Sequence, residues 1–160
     1  MRKKDNGFSL VELIIVVVIM GIVSTSVFVS INSYNANSIE AGFQAMATAL
    51  DSCRYKSMSS TDSSVDFNLS RDNTYIGTVN VAGNIVEEYG MYKSKYDTLI
   101  NGVGVTNNAI FSYSKSDGTL KSVIVDGVNI DISGGCTISS PVCSASIVIS
   151  DISGRAQYVD

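Results

Sequence analysis

Between Phe8 and Glu40 the chain carries one carboxylate, Glu12, set inside an apolar run over residues 8–31. A carboxylate near the start of an apolar helix costs roughly 2–3 kcal/mol on membrane-insertion scales, and less near an interface. It therefore calls for a partner. A cut after Gly7 would free the amine of Phe8, four residues and one helical turn before Glu12. The two charges could then neutralise each other within a chain or between neighbouring helices. Arg2, Lys3 and Lys4 precede the run and stay in the cytoplasm by the positive-inside rule.

Other chemistry is sparse. With no histidine in 160 residues, imidazole bases, histidine-based triads and histidine metal sites are excluded. There is no phosphate-binding glycine loop and no Gly-x-Ser-x-Gly elbow. Glu87 and Glu88 are adjacent on an expected strand, so they point to opposite faces and do not form a dyad. Asp62, Asp66 and Asp72 do not have the spacing of a calcium loop. Asn68-Leu69-Ser70 is a formal glycosylation sequon with no further support. These patterns give no enzyme, no cofactor and no metal.

The elements that position Glu12 follow from periodicity. Residues 8–31 are long enough to cross a hydrocarbon core of about 30 Å as a helix. On hydropathy alone this is a membrane anchor, or a secretory signal peptide with Ser24-Thr25-Ser26 as its cleavage zone. Ile39, Phe43, Met46, Leu50 and Cys53 then recur at helical steps and form one apolar stripe, expected to pack on the sheet that follows. A continuous helix over residues 8–57 would be about 75 Å long. Its first half has no soluble core to pack on, so it needs a bilayer or other copies of itself.

After Thr61 the period changes to two. Strands are expected at 65–69, 75–81, 85–92, 110–113, 123–125, 128–132, 146–150 and 157–159. Gly83-Asn84 and Asp126-Gly127 are read as hairpin turns. Residues 93–108 have no strong pattern and read as a long loop. One long helix followed by many strands is an α+β single domain.

Gly7-Phe8-Ser9-Leu10-Val11-Glu12-Leu13 behind a short basic leader resembles the processing motif of type IV prepilins and type II secretion pseudopilins. The resemblance implies a pilin fold: a long N-terminal helix packed on a C-terminal antiparallel β-sheet head. It divides the chain into a leader (1–7), a transmembrane and polymerisation helix (8–33) and a head (34–160). It assigns Gly7 as the cleavage residue, Phe8 as the N-methylated residue and Glu12 as the assembly partner of a neighbour's N-terminus. The implied partners are a prepilin peptidase/methyltransferase, other pilin subunits through the N-terminal helix, the cytoplasmic membrane and, indirectly, an assembly platform and ATPase. The implied location is the cytoplasmic membrane, N-terminus inside, and then a surface or periplasm-spanning filament. Many relatives carry a proline midway along this helix; this segment has none, leaving Gly21 and Ser24-Thr25-Ser26 as its weakest helix formers.

The stretches around Ala109-Ile110-Phe111-Ser112-Tyr113 and Ile147-Val148-Ile149-Ser150-Asp151-Ile152-Ser153-Gly154-Arg155 are similar to the C-terminal halves of H-type pseudopilins and FimT-like minor pilins. This favours a minor, priming-type subunit over a major pilin. A tip adhesin or DNA receptor on the same anchor is the other class, with 93–108 and the 136–143 loop as contact surfaces. Nucleic acid is disfavoured, because Arg155 stands alone between Asp151 and Asp160 and the net charge is −4. Without its leader, which carries +2, the chain carries −6.

Three cysteines form an odd set. A bridge between Cys136 and Cys143 would pin a short loop and is the favoured pairing, with Cys53 a buried small hydrophobe. Pairing through Cys53, or three free thiols, are the alternatives. An exported domain permits a bridge without requiring one.

Overall fold

The computed structural model describes residues 9–61, 64–72, 74–92 and 97–160, the side chains of 26–36 excepted. Two compact units are present, Met1–Asn35 and Ala36–Asp160. A single helical element, α1 (Leu10–Ser59), begins in the first and ends in the second. Among the described residues eleven short strands follow it, so the expected α+β architecture is present.

In the second unit the apolar stripe of α1 is the core. Ile39, Phe43, Met46, Leu50 and Cys53 are all buried. Each full burial of a large aliphatic or aromatic side chain contributes about 1.5–3 kcal/mol relative to exposure. Against the stripe stand two antiparallel sheets, where one was expected.

The first sheet has the order β3-β2-β1-β6-β7-β8, built from β1 (Val65–Arg71), β2 (Tyr75–Val81), β3 (Asn84–Tyr92), β6 (Asn108–Tyr113), β7 (Leu120–Val125) and β8 (Val128–Ile130). The second has the order β11-β10-β9-β4-β5, from β4 (Leu99–Ile100), β5 (Val103–Gly104), β9 (Cys136–Ser139), β10 (Ser146–Ile149) and β11 (Ala156–Val159). Alternation sets the inward faces: Val65, Phe67 and Leu69 of β1 are buried, and Ala109, Phe111 and Tyr113 continue that face on β6.

Among the described residues three hairpins close through two-residue turns with both φ values positive: Ala82-Gly83 (50°, 83°), Asn101-Gly102 (48°, 82°) and Asp126-Gly127 (49°, 84°). This mirror-image turn matches the right-handed twist of the paired strands. The β2–β3 turn thus lies one residue before the expected Gly83-Asn84, because the register Val81↔Asn84 draws Ala82 into the left-handed region. The described part of 93–108 is also not all loop: it holds the small hairpin β4–β5 around Asn101-Gly102. Residues 93–96 lie outside the described residues.

The loop is fastened by side chains. The Thr98 N–H donates to the Tyr75 hydroxyl at 2.9 Å, that hydroxyl donates to the Val105 carbonyl at 3.4 Å, and Tyr92 bonds Thr98. Asn101 joins the sheets: its amide nitrogen donates to the carbonyls of Asp131 and Gly135, and its oxygen accepts the Thr137 N–H at 2.7 Å.

All three cysteines are free thiols. Cys136 opens β9 opposite Ile149, whereas Cys143 lies in the connection at the other end of that hairpin, beyond Ser139↔Ser146. Three strand residues separate the two ends by roughly 10 Å. A disulfide needs Cα atoms about 4.4–6.8 Å apart. The Cys136–Cys143 bridge is therefore not formed, and the expectation missed this because it read β9 as part of an exposed loop.

Candidate functional site

The site indicated by sequence is the start of α1. The Ser9 carbonyl accepts the N–H groups of Glu12 at 3.0 Å and Leu13 at 3.2 Å, which fixes the first turn of the helix. Gly7 and Phe8 themselves lie outside the described residues. Glu12 is exposed in that first turn, where the helix dipole favours a carboxylate. Among the described residues its carboxylate has no ion pair; the two present are Lys56–Glu87 and Arg71–Asp97.

Around and after Glu12, residues 10–23 are apolar on every face of the helix. Leu10 is 76% exposed, Val16 44% and Ile22 63%, and the large aliphatic side chains between them are likewise exposed. A helix apolar all round is stable only where something covers it. Among the described residues no helix is long and apolar enough to cross a membrane. Ser24 and Thr25, weak helix formers by type, are nevertheless helical. Their hydroxyls donate to the carbonyls of Met20 at 2.7 Å and Ile22 at 2.8 Å, so both satisfy themselves within the helix.

In the second unit, polar side chains of α1 fasten the sheets. Glu87 of β3 pairs with Lys56 and accepts from the Tyr89 hydroxyl at 2.7 Å and from Ser52 at 3.2 Å. The Lys56 bond, followed by Tyr89, holds its carboxyl below the ordinary value. Glu88 is exposed, so the pair does face opposite ways. Asp51 accepts the Ala156 N–H at 3.2 Å, Arg54 donates to the Gly118 carbonyl at 3.2 Å, and Ser57 donates to the Tyr113 carbonyl at 3.2 Å.

Burial pushes the Cys53 and Cys136 thiols up to about 12, which leaves them protonated and poor nucleophiles. Among the described residues no group of three His, Cys, Asp or Glu could hold a metal ion. Asp66 lies in β1 and Asp72 just beyond its end, while Asp62 is outside the described residues. Arg155 is exposed without other basic neighbours in sequence.

Comparison with known proteins agrees with the N-terminal geometry and goes no further. Residues 2–28 match the family model described as a prokaryotic N-terminal methylation motif. No curated protein and no solved structure matches the chain. The match covers the N-terminal segment that holds Gly7, Phe8 and Glu12, and leaves residues 29–160 without a relative in these comparisons.

Proposed function

We propose that the chain is a subunit, minor rather than major, of a type IV pilus or a type II secretion-type filament. The single observation that carries this reading is an exposed helical stretch, apolar on all sides, with Glu12 exposed in its first turn. In this reading the precursor sits in the cytoplasmic membrane as a single-pass protein, with Arg2, Lys3 and Lys4 inside and the helix over 8–33 as its anchor. A prepilin peptidase cuts after Gly7 and methylates the Phe8 amine. An assembly platform and its ATPase then move the helix from lipid into a bundle of like helices. Lipid and bundle are both apolar, so the transfer costs little, and the Glu12 carboxylate supplies orientation by meeting the terminal amine of a neighbour.

The test is Glu12→Ala in the full chain, in cells that process it. Cleavage should stay near the wild-type level while incorporation into filaments falls by at least about tenfold, the scale of losing a charged partner. Normal incorporation would remove the charge-pairing role.

A further inference from the structure

Asn101 and Gly102 make the β4–β5 turn, with φ +48° and +82°. An asparagine followed by glycine is reactive by constitution. Its side-chain amide carbon can close a succinimide ring with the next backbone nitrogen, and glycine sets no Cβ in the way. Here Gly102 stands in open space, with nothing within 4 Å of where a Cβ would be. Both residues are exposed, so water reaches the pair.

The Asn101 side chain is held in a place that opposes this reaction. Its nitrogen donates to the carbonyls of Asp131 at 3.0 Å and Gly135 at 3.3 Å, in the connection between β8 and β9. Its oxygen accepts the Thr137 N–H at 2.7 Å, while its own backbone N–H donates to the Thr137 carbonyl at 2.9 Å. The amide thus extends the β4–β9 ladder by one step beyond Ile100↔Ile138 and is drawn toward β9, away from the Gly102 nitrogen. A near-attack geometry requires the three side-chain bonds to break.

We propose that Asn101-Gly102 is a concealed deamidation site, silent while its side chain bridges to the β8–β9 connection and active once the β4–β5 hairpin opens. The Gly102 nitrogen gives up its proton and attacks the Asn101 amide carbon. The side-chain carbon–nitrogen bond breaks, and ammonia leaves with that proton. Water then opens the succinimide to aspartate or isoaspartate. Either product puts a carboxylate where the amide donated, so the carbonyls of Asp131 and Gly135 lose a donor and face a negative charge. Isoaspartate also lengthens the backbone inside a two-residue turn whose geometry is matched to its strands. Closure is then disfavoured, and a prolonged opening of this hairpin becomes a one-way event. The inference concerns the head alone and does not depend on the filament reading.

Incubation of the purified full chain in mildly alkaline heavy-oxygen water tests this, native in detergent micelles and unfolded in guanidinium. Heavy-oxygen uptake and isoaspartate in the peptide that carries Asn101 should appear at least about tenfold more slowly in the native chain, the scale of three solvent-facing hydrogen bonds. Asn101→Asp makes one product directly, and in denaturant unfolding at neutral pH it should lower the folded-to-unfolded ratio at least about tenfold. Equal rates in the native and unfolded chains would show that the fold does not restrain the side chain, and would overturn the proposal. Wild-type stability of Asn101→Asp would overturn it as well, because the converted hairpin would then close as before.

Discussion

Gly154 and Gly118 touch through their backbones: a Cβ on Gly154 would stand 2.0 Å from the Gly118 carbonyl oxygen. The two glycines belong to turns of different sheets, and that same carbonyl accepts the Arg54 side chain from α1. Helix and both sheets therefore meet at one point. Gly154 also has φ +64°, so alanine there meets both backbone strain and a clash. Gly154→Ala should destabilise the fold by about 3 kcal/mol or more. Gly127→Ala, equally left-handed at φ +84° but in open space, should cost only about 1–2 kcal/mol. Denaturant unfolding of the two variants checks the contrast.

The Asp126 carboxylate gathers three successive backbone N–H groups, those of Thr106 and Asn107 at 2.7 Å and Asn108 at 2.9 Å. Desolvation pushes its pKa up, but these bonds outweigh it and hold it below the ordinary 3.8. A depressed carboxylate stabilises fully above its unfolded value and loses that contribution as pH falls through its folded one. Asp126→Asn keeps a residue tolerant of the left-handed φ and removes the charge. Its site is solvent-facing, so the expected cost at neutral pH is only about 1 kcal/mol. The gap from wild type should narrow as pH falls below 3.8, which an acid-denaturation series would measure.

The thiols should differ in reactivity. Cys53 and Cys136 are buried with pKa values pushed up to about 12, whereas Cys143 is only part-buried, its thiol raised less by burial and donating to the Ala145 carbonyl. Brief alkylation of the native chain near pH 8 should therefore label Cys143 alone, and denaturant should expose all three. A mass lacking two hydrogens, with Cys136 and Cys143 both protected after denaturation, would mean that a bridge forms despite the strand register.

Much of the fold was legible because it rests on local patterns. The stripe Ile39, Phe43, Met46, Leu50, Cys53 is written in helical period, and Asp126-Gly127 turns where two-residue hairpins turn. The second sheet was not legible as a sheet. Its strands β4 and β5 are two residues each, and β9 has only four, too short for alternation to rise above chance. Asn101-Gly102 was the available signal, an ordinary hairpin pair left inside a supposed loop. At the proposed assembly site, Glu12 stood out because one charge interrupts an apolar run.

The central claim is that the mature chain begins at Phe8, with the amine that Glu12 is placed to meet. Mass spectrometry of the processed protein should find N-methyl-phenylalanine as its first residue, with residues 1–7 removed. A chain that begins at Met1, or near Ser26 as for a secretory signal peptide, would contradict the account.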